Sequence, residues 1–558
     1  MQSVRTKGRG NFLRPANLAL LGTLLLGAAL QTVVGIYEWA NWDEGEYLQG
    51  ALAVVHGGIP LVTFSSRVDP LSLYLLAPGV LLFGGTLGGA IGTRVVFDTA
   101  TAAVLALLAR RMALRNAEVV AIAAAGVYLL APAVVDLVTR VAEEPLAALF
   151  LSLSLYFLLR DRWRSWGWNL PVSGFLLGLA ILTRRSEVVV GIAWLLWIFT
   201  AATTWRERVM RSLRCFLPGI ALVLGFYFYV ASQTSLAWGL SSMVKDPYLP
   251  FGQRVVAWPV IGEEIGYLMA VAAPLFLAPL ALLIRHLRSR VSVRLVRLAS
   301  LVTSIAVVVL LALLPYEFDY GVGEYPTASL AYLLLVSGAV WFLLLTLEVG
   351  GAPSVPAGRS REMLLLGGWA ASVELLDFSI RPQAFVVYAA DAFAPLALLF
   401  GFWYAGLLPP PSPQVPAPSS SNTRRVRETR WRSKVGGLAA ITLLVVSSAL
   451  TAVLVLGPTN PYNVPGASNL PLQGVQVYPP SEVTDVATAL KTLVRQGGPA
   501  FSFDTPFLSA ADVQNTPQIS MYLDPYLSLF RANVSANTPL YPGAPEKFAP
   551  SLDQLLAL

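Results

Sequence analysis

The sequence is poor in the residue types that soluble enzymes use most. Of the 558 residues, 13% are charged, one is cysteine and two are histidine. A single cysteine excludes an internal disulfide, and two histidines exclude a histidine-rich metal centre. There is no P-loop and no complete GxGxxG motif, so the sequence does not indicate a nucleotide-binding domain. Because soluble domains carry about 25% charged residues, this composition excludes an ordinary cytosolic enzyme, a disordered protein and a disulfide scaffold.

What the sequence has instead is long apolar runs. Hydrophobic residues make up 56% of the chain, and the mean hydropathy is +0.63. Runs of about 20 apolar residues are long enough to cross a bilayer as helices. We place such spans at 15–37, 94–109, 117–135, 145–159, 170–183, 187–204, 214–232, 263–284, 298–316, 327–347, 362–376, 384–407 and 435–456. The sequence therefore predicts an all-α polytopic membrane protein with about 13 transmembrane helices, the first of them a retained anchor.

The distribution of charge indicates how the spans are oriented. The chain has a net charge of +7 and a pI near 9.4, and its bases are concentrated on one side of the predicted membrane. That side holds 27 of the 39 Lys and Arg residues and, with Glu118 at the start of the span 117–135 included, six of the 32 Asp and Glu residues. It comprises the N-terminus, 110–115, 160–164, 205–214, 285–297, 348–362 and 423–434. Because basic loops stay in the cytoplasm, we expect a protein of the plasma membrane whose N-terminus faces the cytoplasm. The excess of basic residues is explained by this orientation, so we expect no nucleic-acid partner.

Segment 71–92 is apolar enough to be a further span, but two observations argue against a crossing. If it crossed, every later loop would change sides and the charge bias would be lost. It also contains Pro78 and two glycine pairs, which weaken a helix interior. We therefore expect interfacial or re-entrant helices here, within an outer loop of residues 38–93.

Two other segments lie outside the predicted spans. Residues 408–434 begin with a Pro/Ser-rich stretch and continue in a basic run, which is typical of a cytoplasmic linker. Residues 457–558 contain strand-like VQVY and AFSF on either side of an amphipathic segment, 481–496. The sequence thus predicts a transmembrane domain of residues 1–456 and a small C-terminal α/β extracytoplasmic domain of residues 457–558.

The acidic residues cluster in the predicted outer loops. Asp43 and Glu44 directly follow the aromatic residues Trp39 and Trp42, at the start of a predicted interfacial helix, 44–56. A carboxylate held at the membrane edge is partly desolvated, which raises its pKa toward that of a general base. The alternative is that the loop is acidic only because it lies in water.

The outer loops also carry motifs at separated positions. The first contains Asp43-Glu44, Tyr47, Ala51, Gly57-Gly58 and Asp69-Pro70. The second contains Thr139-Arg140-Val141-Ala142-Glu143-Glu144-Pro145, and the fifth span ends in Leu182-Thr183-Arg184-Arg185. Over about residues 1–205, these motifs resemble the loops of the dolichyl-phosphate-mannose:protein mannosyltransferases and the lipid A aminoarabinose transferases, which are polytopic transferases with the glycosyltransferase-C fold. One difference is that Glu143 and Glu144 stand where that family commonly has Asp.

The resemblance implies transfer of a sugar from a polyprenyl-phosphate donor to an acceptor hydroxyl on a lipid, a glycan or a protein, with inversion at the sugar carbon. Asp43, with Glu44 beside it, would be the general base. The departing phosphate is already an anion, so it needs cationic groups around it rather than a proton. The candidates for that role are Arg184, Arg185, Lys245, Arg254 and Arg381.

Glu143 and Glu144 have two interpretations. They precede Pro145, a good first-turn residue, and acids there favour the positive end of a helix dipole. Alternatively, they orient the acceptor or share a divalent cation, Mg²⁺ or Mn²⁺, with Asp43 through oxygen ligands. The sequence itself requires no cofactor.

Two other functions remain open at this point. Asp98 and Asp391 lie inside predicted spans, and intramembrane acids are typical of transporters and proton relays. Against a transporter, the acids cluster at the outer face and no inverted repeat is evident. The other alternative is a non-catalytic assembly or polymer-binding protein, with residues 457–558 as its interaction module.

Overall fold

The computed structural model describes residues 15–37, 42–64, 66, 68–83, 87–113, 116–130, 143–161, 167–201, 204–244, 362, 365–370, 372–373 and 392–407. The helices among them are α1 (Pro15–Tyr37), α2 (Trp42–Val55), α3 (Pro70–Leu82), α4 (Leu87–Met112), α5 (Ala117–Leu130), α6 (Glu143–Arg160), α7 (Asn169–Thr183), α8 (Val190–Ala201), α9 (Trp205–Gln233), α10 (Leu236–Val244) and α11 (Phe393–Leu407). A 3₁₀ helix, Arg185–Val189, connects α7 to α8. This part of the chain is all-α, as the sequence predicts, apart from one isolated bridge between Pro60 and Phe64.

Several predicted features lie outside the described residues. They are the spans 263–284, 298–316, 327–347 and 435–456, the linker 408–434 and the C-terminal domain 457–558. The spans 362–376 and 384–407 are described only in part, the longest piece being α11. The total number of transmembrane helices and the α/β fold of the C-terminal domain therefore stay predictions.

The helix bounds agree with the predicted spans at α1, which covers 15–37, and differ at α9. We expected a span at 214–232 and a basic inner loop before it, whereas α9 already begins at Trp205. The Thr204 hydroxyl accepts a hydrogen bond from the backbone N–H of Glu207 at 3.2 Å and caps the helix. The basic residues that follow are good helix formers, so the helix continues beyond the apolar run that marks the bilayer.

Two more elements differ from the sequence-based expectation. The predicted span 187–204 begins as the 3₁₀ helix, and its α-helical part starts at Val190. The predicted outer loop 233–262 contains α10, a short helix whose first turn packs Trp238 into the protein, where its indole N–H donates to the Leu61 carbonyl at 2.9 Å. Hydrophobic periodicity over nine residues is too short a signal to distinguish such a helix from an apolar loop.

Segment 71–92 forms parts of two helices. α3 ends at Leu82, where the N–H of Phe83 donates to the Gly79 carbonyl at 3.1 Å, and α4 begins at Leu87. The 13 residues of α3 span about 20 Å, which is too short for a bilayer core of about 30 Å. An interfacial position for the first half of the segment stays a prediction. The second half belongs instead to α4, which starts before the predicted boundary of 94–109.

Three described helices are long and apolar enough, by length and composition, to cross a membrane: Pro15–Val33, Gly88–Met112 and Trp205–Gln233. α1 and α9 present large apolar side chains outward, among them Leu25, Leu26, Leu217, Ile220 and Phe228. Contiguous apolar surface of this kind is not stable in water. The chain is an integral membrane protein.

The helices pack around one main apolar core and a smaller one beside it. The main core joins the buried faces of α4 to α8 with α11, and Trp194 of α8 meets Trp369 edge to face at a centroid distance of 5.7 Å. The smaller core joins α2, α3 and the start of α4 through Leu52, Leu76 and Val95. The helix that carries Asp43 is therefore packed directly on α3.

α7 and α9 cross in close contact because small residues line their interface. A Cβ on Gly178 would lie 2.7 Å from the Cα of Gly219, and Gly174 faces the backbone of Cys215. Small residues let two helix backbones approach in this way. The crossing fixes α9 against α7, and with it the position of α9 relative to the turn that follows α7.

Candidate functional site

The starts of α3 and α6 and the end of α7 meet at one end of the described helices. The Ser72 hydroxyl of α3 donates to the carbonyl of Thr183, the last residue of α7, at 2.8 Å. The backbone N–H of Asp69, just before α3, donates to Glu143 Oε1 at 2.6 Å. Six charged side chains gather there, which we call the turn cluster: Asp69, Glu143, Glu144, Arg184, Arg185 and Glu187.

Asp69 holds Arg185 at two points. Its Oδ1 lies 2.5 Å from Nε of Arg185, and its Oδ2 accepts from the Arg185 backbone N–H at 2.8 Å. Nη1 of Arg185 donates to the carbonyl of Ser242 in α10 at 3.0 Å. The Asp69 side chain is buried, whereas that of Arg185 is 26% exposed. The Arg185 guanidinium is thus fixed from α3 and α10 and still reaches the surface of the described part.

Arg184 lies deeper than Arg185 and between two carboxylates. Its Nη2 is 3.4 Å from Oε1 of Glu144, and its Nη1 is 3.5 Å from Oε1 of Glu187. All three side chains are buried. Arg184 therefore braces the start of α6 against the 3₁₀ helix, and Arg185 is the more accessible of the two cations.

Two carboxyl groups of the cluster, Asp69 and Glu143, have pKa values that are raised toward their neutral forms. Burial raises the pKa of Asp69, against the opposing effect of the Arg185 and Arg184 charges. Burial also raises the pKa of Glu143, which precedes the apolar span 145–159, well above its usual range, and the negative charges of Asp69 and Glu144 add to that effect. A raised pKa favours the neutral carboxyl, which can donate a hydrogen bond to a bound ligand.

The geometry of the cluster suits an anionic ligand. Arg184 is enclosed by Glu144 and Glu187, so its charge is compensated internally. Arg185 presents a planar fork of N–H donors whose orientation is set by Asp69, and such a fork matches the oxygens of a phosphate. A guanidinium whose orientation is fixed in this way can therefore bind a phosphate.

The segment that contains the turn cluster matches a protein-family model. Residues 67–231 match the family model for dolichyl-phosphate-mannose-protein mannosyltransferase. Residues 67–231 are therefore similar to that family. The resemblance predicted from the sequence is confirmed there, and all six residues of the turn cluster lie within the matched range. No curated protein sequence matches the chain.

Solved structures are similar to the chain at low identity. The oligosaccharyltransferase of Archaeoglobus fulgidus in the apo form is 16% identical, covering 79% of this chain and 56% of its own, with a TM-score of 0.45. The same enzyme tethered with an acceptor peptide is 13% identical, with 91% and 64% covered and a TM-score of 0.49. ArnT from Cupriavidus metallidurans bound to undecaprenyl phosphate is 14% identical, with 98% and 91% covered and a TM-score of 0.43. The chain thus aligns with only 56% to 64% of the length of the archaeal enzyme.

The structure brings some of the predicted site residues together, and others lie outside its described part. Four of them, Glu143, Glu144, Arg184 and Arg185, come together in the mannosyltransferase-family segment. Asp43 and Glu44 lie at the start of α2, which precedes that segment, and their side chains are outside the described part. Three further candidates, Lys245, Arg254 and Arg381, and also Asp391, are outside the described residues altogether.

A metal site stays a prediction. Among the described side chains, no three of the types His, Cys, Asp and Glu are gathered closely enough to hold a metal ion. The predicted cation would join Glu143 to Asp43, and the Asp43 side chain does not belong to that set.

Four residues that the sequence-based site did not include belong to the family segment or contact it. Asp69 was marked only as part of the motif Asp69-Pro70, although an acid directly before a helix-starting proline is a usable signal. Glu187 follows the basic turn by two residues and could be found in the same way. Tyr227 and Ser242 come from α9 and α10, and nothing in the sequence links them to Arg185.

Asp98, the residue that favoured a transporter, is held within the protein. It lies in α4, fully buried, with Oδ2 3.5 Å from Nε of Arg94 one helical turn earlier. The Tyr128 hydroxyl of α5 donates to its Oδ1 at 3.1 Å. Asp98 thus pairs with Arg94 of its own helix and with Tyr128 of α5, as expected for an ion pair that stabilises helix packing.

Proposed function

We propose that the chain is a membrane glycosyltransferase that moves a sugar from a polyprenyl-phosphate donor to an acceptor hydroxyl on a lipid, a glycan or a protein. The family of residues 67–231 is named for such a donor, dolichyl-phosphate-mannose. The observation that carries the proposal is the guanidinium of Arg185, which Asp69 and the Ser242 carbonyl hold in a fixed orientation. A guanidinium fixed in this way binds phosphate through parallel hydrogen bonds.

The reaction forms one bond and breaks one. The acceptor oxygen attacks C1 of the sugar from the face opposite the phosphate, and the bond from C1 to the phosphate oxygen breaks with inversion. The electron pair stays on the phosphate, so the leaving group needs positive charge rather than a proton. The acceptor proton passes to the carboxylate of Asp43, supported by Glu44. We assign Arg185 to the leaving phosphate.

The other cations have supporting roles in this proposal. Arg184 fixes the turn from inside through Glu144 and Glu187. Lys245, Arg254 and Arg381 are assigned to further contacts with the donor phosphate, since the leaving group carries more than one negative charge.

The second acidic position is assigned to the acceptor. The half-buried Glu143 carboxyl accepts from the Asp69 backbone N–H, and its raised pKa favours the neutral form, whose hydroxyl would donate a hydrogen bond to an acceptor oxygen. Glu143 and Asp43 together also offer oxygen ligands that suit Mg²⁺ or Mn²⁺. The cation is an optional part of the proposal, and no step depends on it.

The reaction is placed at the outer face of the plasma membrane. α6 runs from Glu143 in the turn cluster to Arg160, and α4 ends in Arg110 and Arg111, so these bases lie away from the cluster. Arg110 donates to Asn17 at the start of α1 at 2.6 Å, which puts the N-terminal end on the same side as those bases. Basic ends favour the cytoplasm, so the opposite end, with the turn cluster, faces outward.

The test is sugar transfer in isolated membranes from a panel of radiolabelled polyprenyl-phosphate sugars. We expect transfer by the wild type and a fall of about 10²–10⁴-fold for Asp43→Asn, the usual contribution of a general base. Glu46→Gln makes the same chemical change one turn along α2 and should keep its activity. Full activity of Asp43→Asn would remove Asp43 as the base, and no transfer from any donor in the panel would contradict the enzyme class.

A further inference from the structure

Tyr227 of α9 lies against the turn cluster without belonging to it. Its side chain is 4% exposed, and its ring packs with Leu182, at the end of α7, and with Trp238 of α10. Leu182 precedes Arg184 and Arg185 by two and three residues. The close crossing of α7 and α9 therefore brings Tyr227 to the base of the arginine turn.

The Tyr227 hydroxyl is buried and has no hydrogen-bond partner among the described residues. It is within electrostatic reach of Arg185, Asp69 and Glu143. The hydroxyl of Ser242, whose carbonyl accepts from Arg185, is likewise buried without a described partner. Burying a hydroxyl without a hydrogen bond costs free energy, so a buried hydroxyl next to a charged site indicates a ligand that completes it.

The other side of Tyr227 is apolar. Its ring lines a cleft between α9 and α10, together with Leu224, Phe228, Leu236 and Leu240. These four side chains are large and exposed, and the cleft opens on the lipid-facing surface of α9. Tyr227 therefore lies between an apolar cleft and the turn cluster that carries the Arg185 guanidinium. That combination fits a molecule with an anionic head and a hydrocarbon tail better than it fits a free phosphate or a nucleotide.

We propose that Tyr227 is a donor-positioning residue, whose hydroxyl donates a hydrogen bond to the phosphate of the polyprenyl-phosphate donor beside Arg185. This rests on the proposed function. The hydroxyl and the guanidinium approach the phosphate from different elements, α9 and the 3₁₀ helix, so together they fix both its position and its rotation. The first isoprene units lie along the cleft between α9 and α10.

The test compares Tyr227→Phe with Tyr229→Phe. Tyr229 is on the same helix and 42% exposed, so its variant controls for loss of a tyrosine hydroxyl as such. Binding to the purified full chain is measured by native mass spectrometry with three probes: undecaprenyl phosphate, undecaprenol and inorganic phosphate. We expect Tyr227→Phe to bind undecaprenyl phosphate about tenfold more weakly, the size of one hydrogen bond to a charged group. Undecaprenol binding and the Tyr229→Phe variant should be unchanged, and inorganic phosphate should bind too weakly to detect.

Thermal unfolding separates this role from a structural one. If the Tyr227 hydroxyl makes a hydrogen bond only when the ligand is bound, Tyr227→Phe removes a buried unpaired group from the ligand-free protein. The Tm of the variant should then equal or exceed that of the wild type. A lower Tm, an unchanged affinity for undecaprenyl phosphate, or an equal loss for undecaprenol would each overturn the assignment. In steady-state transfer, the variant should raise KM for the donor and leave kcat within about threefold.

The outcomes also separate this inference from the function beneath it. An active wild type whose affinity is unaffected by Tyr227→Phe contradicts the role of Tyr227 alone. A wild type that binds no undecaprenyl phosphate contradicts both. Weaker binding by Tyr227→Phe in a protein that transfers no sugar supports the phosphate site and removes only the transfer reaction.

Discussion

The Arg94–Asp98 pair and the turn cluster both bury charges among the helices, but they are assembled differently. Arg94 and Asp98 lie one turn apart in α4, both at most 1% exposed, and the Tyr128 hydroxyl donates to Oδ1 of Asp98. The turn cluster draws its residues from three separate segments, the entry to α3, the start of α6 and the turn after α7. Its Arg185 side chain is 26% exposed.

The two groups show which features distinguish charged side chains that bind a ligand from those that only stabilise the packing of helices. The Arg94–Asp98 pair is balanced, local and closed, so no ligand can reach it and its charges serve the packing of α4 on α5. The turn cluster has four carboxyl groups and two guanidiniums, and burial and neighbouring negative charges raise the pKa of Glu143, which favours its neutral form. An intramembrane acid is a reasonable functional candidate in a sequence, but its partners decide whether it acts or merely packs.

The largest effect should come from breaking the closed pair. Arg94→Leu leaves Asp98 buried in α4 without its counter-charge, and removing one partner of a buried pair costs about 3–5 kcal/mol. We expect a large fall in the Tm of the detergent-solubilised protein. The double change Arg94→Leu with Asp98→Leu removes both charges and should restore most of the stability, because apolar pairs often replace buried ion pairs without loss.

Sugar transfer by the double variant then tests the comparison itself. If the Arg94–Asp98 pair is structural, the double variant should transfer sugar at close to the wild-type rate. Loss of activity at wild-type stability would move Asp98 from the packing to the chemistry and would revive a transport or proton-relay role.

The elements that the sequence predicted best are those set by a single apolar run. α1 has the predicted bounds of 15–37. α6 begins two residues before the predicted span 145–159 and ends one residue after it, and α7 begins one residue before 170–183 and ends where predicted. Errors occurred where other forces set the boundary. α9 extends beyond its apolar run because Thr204 caps a basic, amphipathic start.

The site was harder to predict because its contacts are distant in the chain. The acids and the basic turn were identified one motif at a time, but their pairing depends on how α3, α6 and α7 meet. The Asp69 carboxylate joins Arg185 across 116 residues, and no local pattern contains that contact. Tyr227 gave no signal at all, since a tyrosine in an apolar helix is ordinarily an interfacial or core residue.

The next effect should be on activity rather than on stability. Arg185→Gln removes the exposed guanidinium, and the buried Asp69 that held it can take up a proton, which its raised pKa favours. We expect transfer to fall about 100-fold or more, the usual result of removing one group that stabilises transition-state charge. Arg185→Lys keeps the charge without the planar fork and should retain part of the rate.

The matched control is Arg110→Gln, which lies outside the turn cluster and pairs with Glu118. It should leave transfer within about threefold of the wild type, as expected for a surface pair. If Arg185→Gln keeps the transfer rate as this control does, Arg185 does not bind the phosphate. The greater exposure of the turn cluster relative to the Arg94–Asp98 pair would then not indicate a catalytic role.

The smallest effect concerns the proton on Glu143. Because the pKa of Glu143 is raised well above its usual range by burial and by neighbouring negative charges, folding favours the protonated form. The stability contributed by that form is present at low pH and is lost as the pH rises through the raised pKa. Glu143→Gln keeps a neutral side chain at every pH, so the Tm of the variant should exceed that of the wild type by an amount that grows from pH 5 to pH 8, reaching roughly one to three degrees.

Glu118→Gln is the control for this last experiment, because the Glu118 side chain is 48% exposed and water solvates its charge. Its Tm difference from the wild type should stay constant over the same pH interval. A constant difference for Glu143→Gln as well would mean that Glu143 is ionised throughout and carries no exchangeable proton. The turn cluster would then resemble the Arg94–Asp98 pair, and Glu143 would act on a ligand only through its negative charge.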